Sequence, residues 1–429
     1  MDVMTRRGWV FGLALVACTA DTKSGGQIVD DTGSGSDSGT SSSGDASEGS
    51  TGGVDDCIED PVCGNGRIDV VEECDGADAC SACVSAQEPT PMMNSGEFGV
   101  VTIAFAPDGS WLATTQAFEA QPIVLRRYDP AGAELWSHEL VDLASVRPAV
   151  ALDPAGNAYV GAAVQAAEGD PVFPWVAAWD AAGAPSWSVL GADEGLLETI
   201  AADGARVVVG GGDLVEAGST SLMRVFDAAG LEQWSLGDNG FSRVDDVAVI
   251  GDEIVAMRSR PGITEGNTSV TIARYDLLAT ERWAVEIAAD EPPSIGRWGV
   301  VTDGADGSWV FGARLRSPYV VHQDRDGAML EELGCIGGAG GVVVGLAVGP
   351  QSQLALAITA ETYVDQNYRY DAWFPVIAGG EIVEATHFDS STRTAIAFAT
   401  GWSGDRRLLG WTDGGSEGGP GSSRVLQIP

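Results

Sequence analysis

Lysine is almost missing from this chain of 429 residues: Lys23 is the only one. Basic residues number 23 against 62 acidic ones, a net charge of −39. Such a surface repels phosphates and anionic headgroups, so nucleic acid is not expected as a partner. It fits a solvated, exported protein. Histidine is nearly as scarce, with only His138, His322 and His387. A zinc hydrolase or a histidine-based triad has little to build on. The apolar stretch at 9–17 is about half of the roughly 20 residues that cross a bilayer. No long amphipathic helix is visible in the periodicity.

What the N-terminus does contain is an address. Arg6 and Arg7 precede the apolar stretch, which ends in Leu15-Val16-Ala17-Cys18. This is the layout of an export signal. A small residue before cysteine resembles the bacterial lipobox. That resemblance implies cleavage after residue 17, acylation of Cys18, and a chain anchored to a membrane rather than spanning it. Removing Asp2, Arg6 and Arg7 takes away a net +1, from −39 to about −40. Thr19, rather than Asp, follows the cysteine, which in that family implies the outer membrane, on either face. Thr5-Arg6-Arg7-Gly8-Trp9-Val10 also resembles a twin-arginine signal, so the export route stays open between that and the general one.

Residues 18–56 are mostly Ser, Gly, Asp, Thr and Glu after Cys18, with too little apolar surface to offset the entropy of ordering. They read as a flexible tether with a reach of roughly 30–37 Å. Residues 57–88 are different. Cys63, Cys74, Cys80 and Cys83 follow a C-x10-C-x5-C-x2-C spacing. So short a piece cannot build a core, and an exported one is stapled by disulfides. Cys63-Gly64-Asn65-Gly66 with Glu73-Cys74-Asp75-Gly76 resembles the cysteine-rich repeat of myxobacterial surface proteins. It departs from that pattern in its single Asp before Gly76 and its shortened loop before Cys80. Two disulfides among the four are expected, with open connectivity; Cys57 and Cys335 are left to pair with each other. Zinc at Cys80-Ser81-Ala82-Cys83 is the rival reading.

From about residue 95 the chain repeats. An aromatic residue and Asp end a β-rich run, a turn follows, and then a Trp. The copies are Tyr128-Asp129 before Trp136, Trp179-Asp180 before Trp187, Phe226-Asp227 before Trp234 and Tyr275-Asp276 before Trp283, with a worn copy at Gln323-Asp324. The Asp positions step by 51, 47, 49 and 48. Between them a second hairpin recurs at Gly109, Gly156, Gly204, Gly251, Gly307, near Gln351 and at Gly404. Two hairpins per repeat mean four strands. A four-stranded repeat of 40–50 residues is a propeller blade. The expected fold is all-β: a β-propeller over 89–429, best fitted by seven blades, with six or eight possible. The Asp-x-x-Gly turn followed by Trp resembles the quinoprotein-like (PQQ-like) propellers, and Asp153-Pro154-Ala155-Gly156-Asn157-Ala158-Tyr159-Val160 resembles short bacterial propeller repeats. The turn Asp is expected to cap backbone N–H groups, and Trp to pack between blades.

No motif carries chemistry. Quinone-dependent dehydrogenases of this blade type need vicinal cysteines against the cofactor ring, and none occur. The G-x-S-x-G match at 414–418 lies in a Gly/Ser-rich loop with no later histidine, so it is not a nucleophile elbow. Asp324-Arg325-Asp326-Gly327 lacks calcium-loop spacing, and 337–341 has no lysine for a phosphate loop. No catalytic residue, cofactor or metal is expected. The sequence predicts a monomeric, lipid-anchored envelope propeller that binds a protein or glycan or serves as a scaffold. The alternative is an envelope enzyme, a quinone-type oxidoreductase or a hydrolase or lyase, with its site in the propeller channel.

Overall fold

The computed structural model describes Met93–Asn94 and 98–428, apart from 118–121, 142, 144–147, 166–169, 213–220, 239–242, 262–267, 288–297, 315–316, 335, 337–340, 365–366, 389–394 and 414–421. The expected signal, tether and cysteine module, with the boundaries at 17/18, 56/57 and 88/89, lie outside the described residues. So do Cys18, Cys57, Cys63, Cys74, Cys80, Cys83 and Cys335.

The described elements are strands, apart from one short 3-10 turn at Pro350–Ser352. They form seven four-stranded antiparallel sheets. Six sheets are continuous in sequence, over 98–140, 149–190, 196–238, 243–287, 299–333 and 341–388. The seventh consists of Ala395–Ser403, Arg406–Asp413 and Ser422–Ile428, completed by Met93–Asn94. Met93 pairs with Val425 and Asn94 with Arg424. The residues before the first blade thus add a strand to the last. The first strand of each sheet packs against the first strand of the next, and the seventh packs against the first. The ring is closed. The sheets are numbered here as blades 1 to 7, with strands first to fourth from the inside out.

The apolar residues form no central core. Seven clusters lie one at each junction between neighbouring blades. The junction of blades 4 and 5, for example, holds Val255, Met257 and Ile272 against Trp298, Val310 and Val321. This follows from strand position. Second and third strands are flanked on both faces and are apolar nearly throughout, as in Ala158–Val164. Fourth strands alternate covered and exposed residues, as in Glu281–Ile287, because they close the rim with one face to solvent. A blade alone would leave both faces bare, so each depends on its neighbours.

Buried arginines also cross these junctions. Arg274 of blade 4 pairs with Glu253 at 2.7 Å and donates to the Asp306 carbonyl of blade 5 at 2.7 Å. Arg407 of blade 7 pairs with Glu384 of blade 6. Partnered in this way, they fix how one blade sits on the next, since removing either partner would strand a buried charge.

Candidate functional site

The residues with the strongest sequence pattern have structural partners. In each of five blades the turn Asp accepts two backbone N–H groups on one carboxyl oxygen. At Asp129 these come from Ala131 and Ala133, both at 2.8 Å. Asp180, Asp227, Asp276 and Asp324 repeat the arrangement. The Asp324 loop is therefore a turn like the others. The fourth-strand Trp reaches the turn of the next blade. Nε1 of Trp136 donates to the Ala181 carbonyl at 3.2 Å, Trp187 to Ala228 at 3.0 Å and Trp283 to Arg325 at 2.7 Å. Each indole lies on the turn glycine, where an added Cβ would come within 2.5 to 2.8 Å of the ring at Gly183, Gly230 and Gly327. These Trp residues are half-buried at the rim, less enclosed than an interior reading implies.

The two histidines whose side chains are described have structural partners too. His138 Nε2 bonds the Gly183 carbonyl at 2.7 Å. His322 stacks on Trp309 with ring centroids 4.2 Å apart, and its Nε2 lies 3.0 Å from Asp303 Oδ2. Burial pushes the Asp303 carboxyl up, but His322 and the N–H groups of Ala305 and Gly307 outweigh it and hold it below the usual carboxylate value. The side chain of His387 lies outside the described residues. In blade 5 the turn glycine with positive φ is Gly304, at 83°, not Gly307.

The sites that sequence reasoning missed lie on the inner strands. In blades 1, 3, 4, 6 and 7 the pairing of first and second strands slips by one residue. Each slip is a β-bulge that re-aims a side chain. The extra residues are Val101, Glu198, Asp245, Val344 and Phe398. Glu198 and Asp245 belong to one wall, Val344 and Phe398 to another.

Blades 3 and 4 give an acidic wall. Arg243 lies 3.8 Å from Glu198 and contacts Asp245. Burial pushes the Asp245 carboxyl up, against the pull of Arg243. Asp246, beside it, turns both carboxyl oxygens inward: Thr199 donates at 2.6 Å, and the N–H groups of Val247 and Val300 at 2.9 Å each. It thereby ties blades 3, 4 and 5. Burial raises its pKa to about 6 despite these donors.

Blades 6, 7 and 1 give an uncharged wall rich in aromatic residues. Their inner strands enclose a recess of about 550 Å³, lined by Ile103, Phe105, Val344, Phe398, Thr400 and Trp402 among others. Pro107, Pro350 and Gly404 also line it, which places it at the end of the ring that carries the turns between first and second strands. Glycines let the aromatic rings lie flat against the wall. A Cβ on Gly401 would come within 2.6 Å of Phe105, and one on Gly349 within 2.3 Å of Trp402. Trp402 Nε1 donates to the Ala347 carbonyl at 3.3 Å. The buried Thr400 hydroxyl has no hydrogen-bond partner. None of the 18 described lining residues is ionisable, in a chain with 62 acids. A recess of this size with aromatic side chains, polar backbone and no charged side chain among its described lining residues has the form of a small-molecule or side-chain pocket.

No family model matches the chain, and no curated protein matches it. Among solved structures it is similar to hydrazine synthase of Kuenenia stuttgartiensis, with 13% identity and a TM-score of 0.49 over 80% of this chain and 99% of that one. It is similar to the WD40 domain of Neurospora crassa Pan2, with 11% identity and a TM-score of 0.47 over 77% and 90%. A protein of unknown function from Bacteroides caccae shares 9% identity, with a TM-score of 0.42 over 63% and 91%. The fold assignment rests on the seven sheets and their closed ring, and the functional argument on the residues lining it.

Proposed function

We propose that this chain is an exported, lipid-anchored binding module of the cell envelope. Acylated Cys18 holds it at the outer membrane, residues 18–56 act as the tether, and a disulfide module over 57–88 joins the tether to a propeller with PQQ-like blade turns. It works as a monomer, takes a protein or glycan partner, and binds no nucleic acid. The observation that carries the binding role is the uncharged aromatic recess at the inner edges of blades 6, 7 and 1. The repeat's strongest residues, by contrast, are used up in holding blades together. A ring stiffened at every junction presents such a recess without reorganising, which favours recognition.

Two measurements in cells test this. Metabolic labelling with a fatty-acid probe should mark the wild type and leave Cys18→Ser unmarked; labelling of the variant overturns the anchor. A photo-crosslinking side chain at Pro107, on the recess rim, should capture one partner from intact envelopes. The same group at Leu278, which is 85% exposed on the outer rim, should not. Equal capture from both positions, or none from either, overturns the binding reading.

A further inference from the structure

The composition of the recess points to its ligand. We infer that the recess between blades 6, 7 and 1 is a site for a small aromatic molecule that carries one hydrogen-bonding group and no negative charge. This rests on the recess being a binding site, as proposed above, and goes beyond the macromolecular partner named there by adding a small-molecule class. Phe105, Phe398 and Trp402 supply ring faces and edges, which favour a planar partner through stacking and edge-to-face contact. A volume of about 550 Å³ lies within the usual range for ligand pockets of roughly 300–1,000 Å³, and exceeds what a single ring fills.

Negative charge on the ligand is excluded from two sides. No described lining residue is ionisable, so an anion entering would lose hydration and meet no counter-charge, which is costly. The net charge of −39 repels an anion before it arrives. One polar group is nevertheless provided for. Thr400 is 8% exposed and lines the recess, and its hydroxyl has no partner. A buried hydroxyl left unpaired is a standing cost. No hydrogen bond fixes it, so a rotation about χ1 on ligand entry would bring the oxygen to a group that offers a donor or acceptor. The only other polar side chain in the wall, Trp402, already donates to Ala347.

Binding of probes to the purified propeller tests the inference. N-phenyl-1-naphthylamine, a neutral two-ring amine that fluoresces in apolar surroundings, should brighten on binding. Val344→Trp, which fills the recess, should abolish the signal while thermal unfolding stays that of a folded ring. In displacement of that probe, 2-naphthol should compete about tenfold better than naphthalene, the ratio that one net hydrogen bond gives. The anion 2-naphthoate should compete at least about a hundredfold more weakly than 2-naphthol. Thr400→Val should erase the preference for 2-naphthol over naphthalene while leaving the melting temperature unchanged or raised, since no hydrogen bond is lost. The inference is overturned if the probe still binds Val344→Trp, if 2-naphthoate competes as well as 2-naphthol, or if the preference survives Thr400→Val. Probe binding that fails while Pro107 still captures a partner refutes the ligand class alone. Probe binding that succeeds with no capture refutes the partner reading alone.

Discussion

Replacing Gly230 by alanine tests how the blades are held together. Gly230 sits in the turn of blade 3 with φ 81°, where a side chain costs about 1–2 kcal/mol in the backbone alone. The new Cβ would lie 2.5 Å from Cδ2 of Trp187, so the indole of blade 2 has to leave. It then loses its hydrogen bond to the Ala228 carbonyl, 3.0 Å long and worth about 1 kcal/mol. It also loses the packing of a half-buried ring, roughly half of the 3–5 kcal/mol that a full Trp truncation costs. The total is about 4 kcal/mol. Urea unfolding followed by circular dichroism should show it. In a Trp187→Ala background, which alone should cost about 2–3 kcal/mol, only the backbone part of the Gly230→Ala effect remains. The double-mutant cycle should therefore return a coupling of about 2–3 kcal/mol. An equal cost of Gly230→Ala in both backgrounds would refute the clasp. Blade 4 is a natural control: its turn carries Ala279 at the equivalent position, with φ 62°. Ala279→Gly should be neutral or gain up to about 1 kcal/mol, the opposite sign at the same place in the repeat.

Two further outcomes follow from the same physics. Burial holds the folded pKa of Asp246 near 6, above the roughly 3.9 of an unfolded chain. Its contribution to stability is therefore complete below about pH 4 and is lost as pH rises through 6. Relative to Asp246→Asn, the wild type should lose about 2–3 kcal/mol between pH 4 and pH 7; a gain over that interval would contradict the buried carboxyl. Peptide mapping without reduction should find two disulfides among Cys63, Cys74, Cys80 and Cys83, and four free thiols or stoichiometric zinc would count against the module.

The architecture was legible because it repeats. Asp129, Asp180, Asp227, Asp276 and Asp324 recur at a blade's spacing. Each marks a turn whose geometry demands that side chain, so one local rule read five times gives strand number and order. Blade 6 lacks the motif: its outer turn is Gly379-Gly380, and its middle strands run to 11 and 12 residues. It was countable only from the degenerate hairpin near Gln351. The recess was not legible, because it depends on what breaks the repeat. A bulge shifts alternation by one residue, and in Ala395–Ser403 nothing distinguishes a slip at Phe398 from an ordinary apolar strand. The seat of each Trp was hidden as well: Trp136, Trp187 and Trp283 lie on Gly183, Gly230 and Gly327 of the next blade, a relation between residues more than 40 apart.

Hydrogen exchange on the acylated protein in its own envelopes, compared with the same protein purified, tests the central claim most directly. If the recess is where the ring meets its partner, protection in envelopes should rise at 103–107, 344–350 and 398–404, and stay unchanged in the fourth strands of blades 1 to 4. Protection confined to those outer strands, or identical exchange in both preparations, would contradict the account.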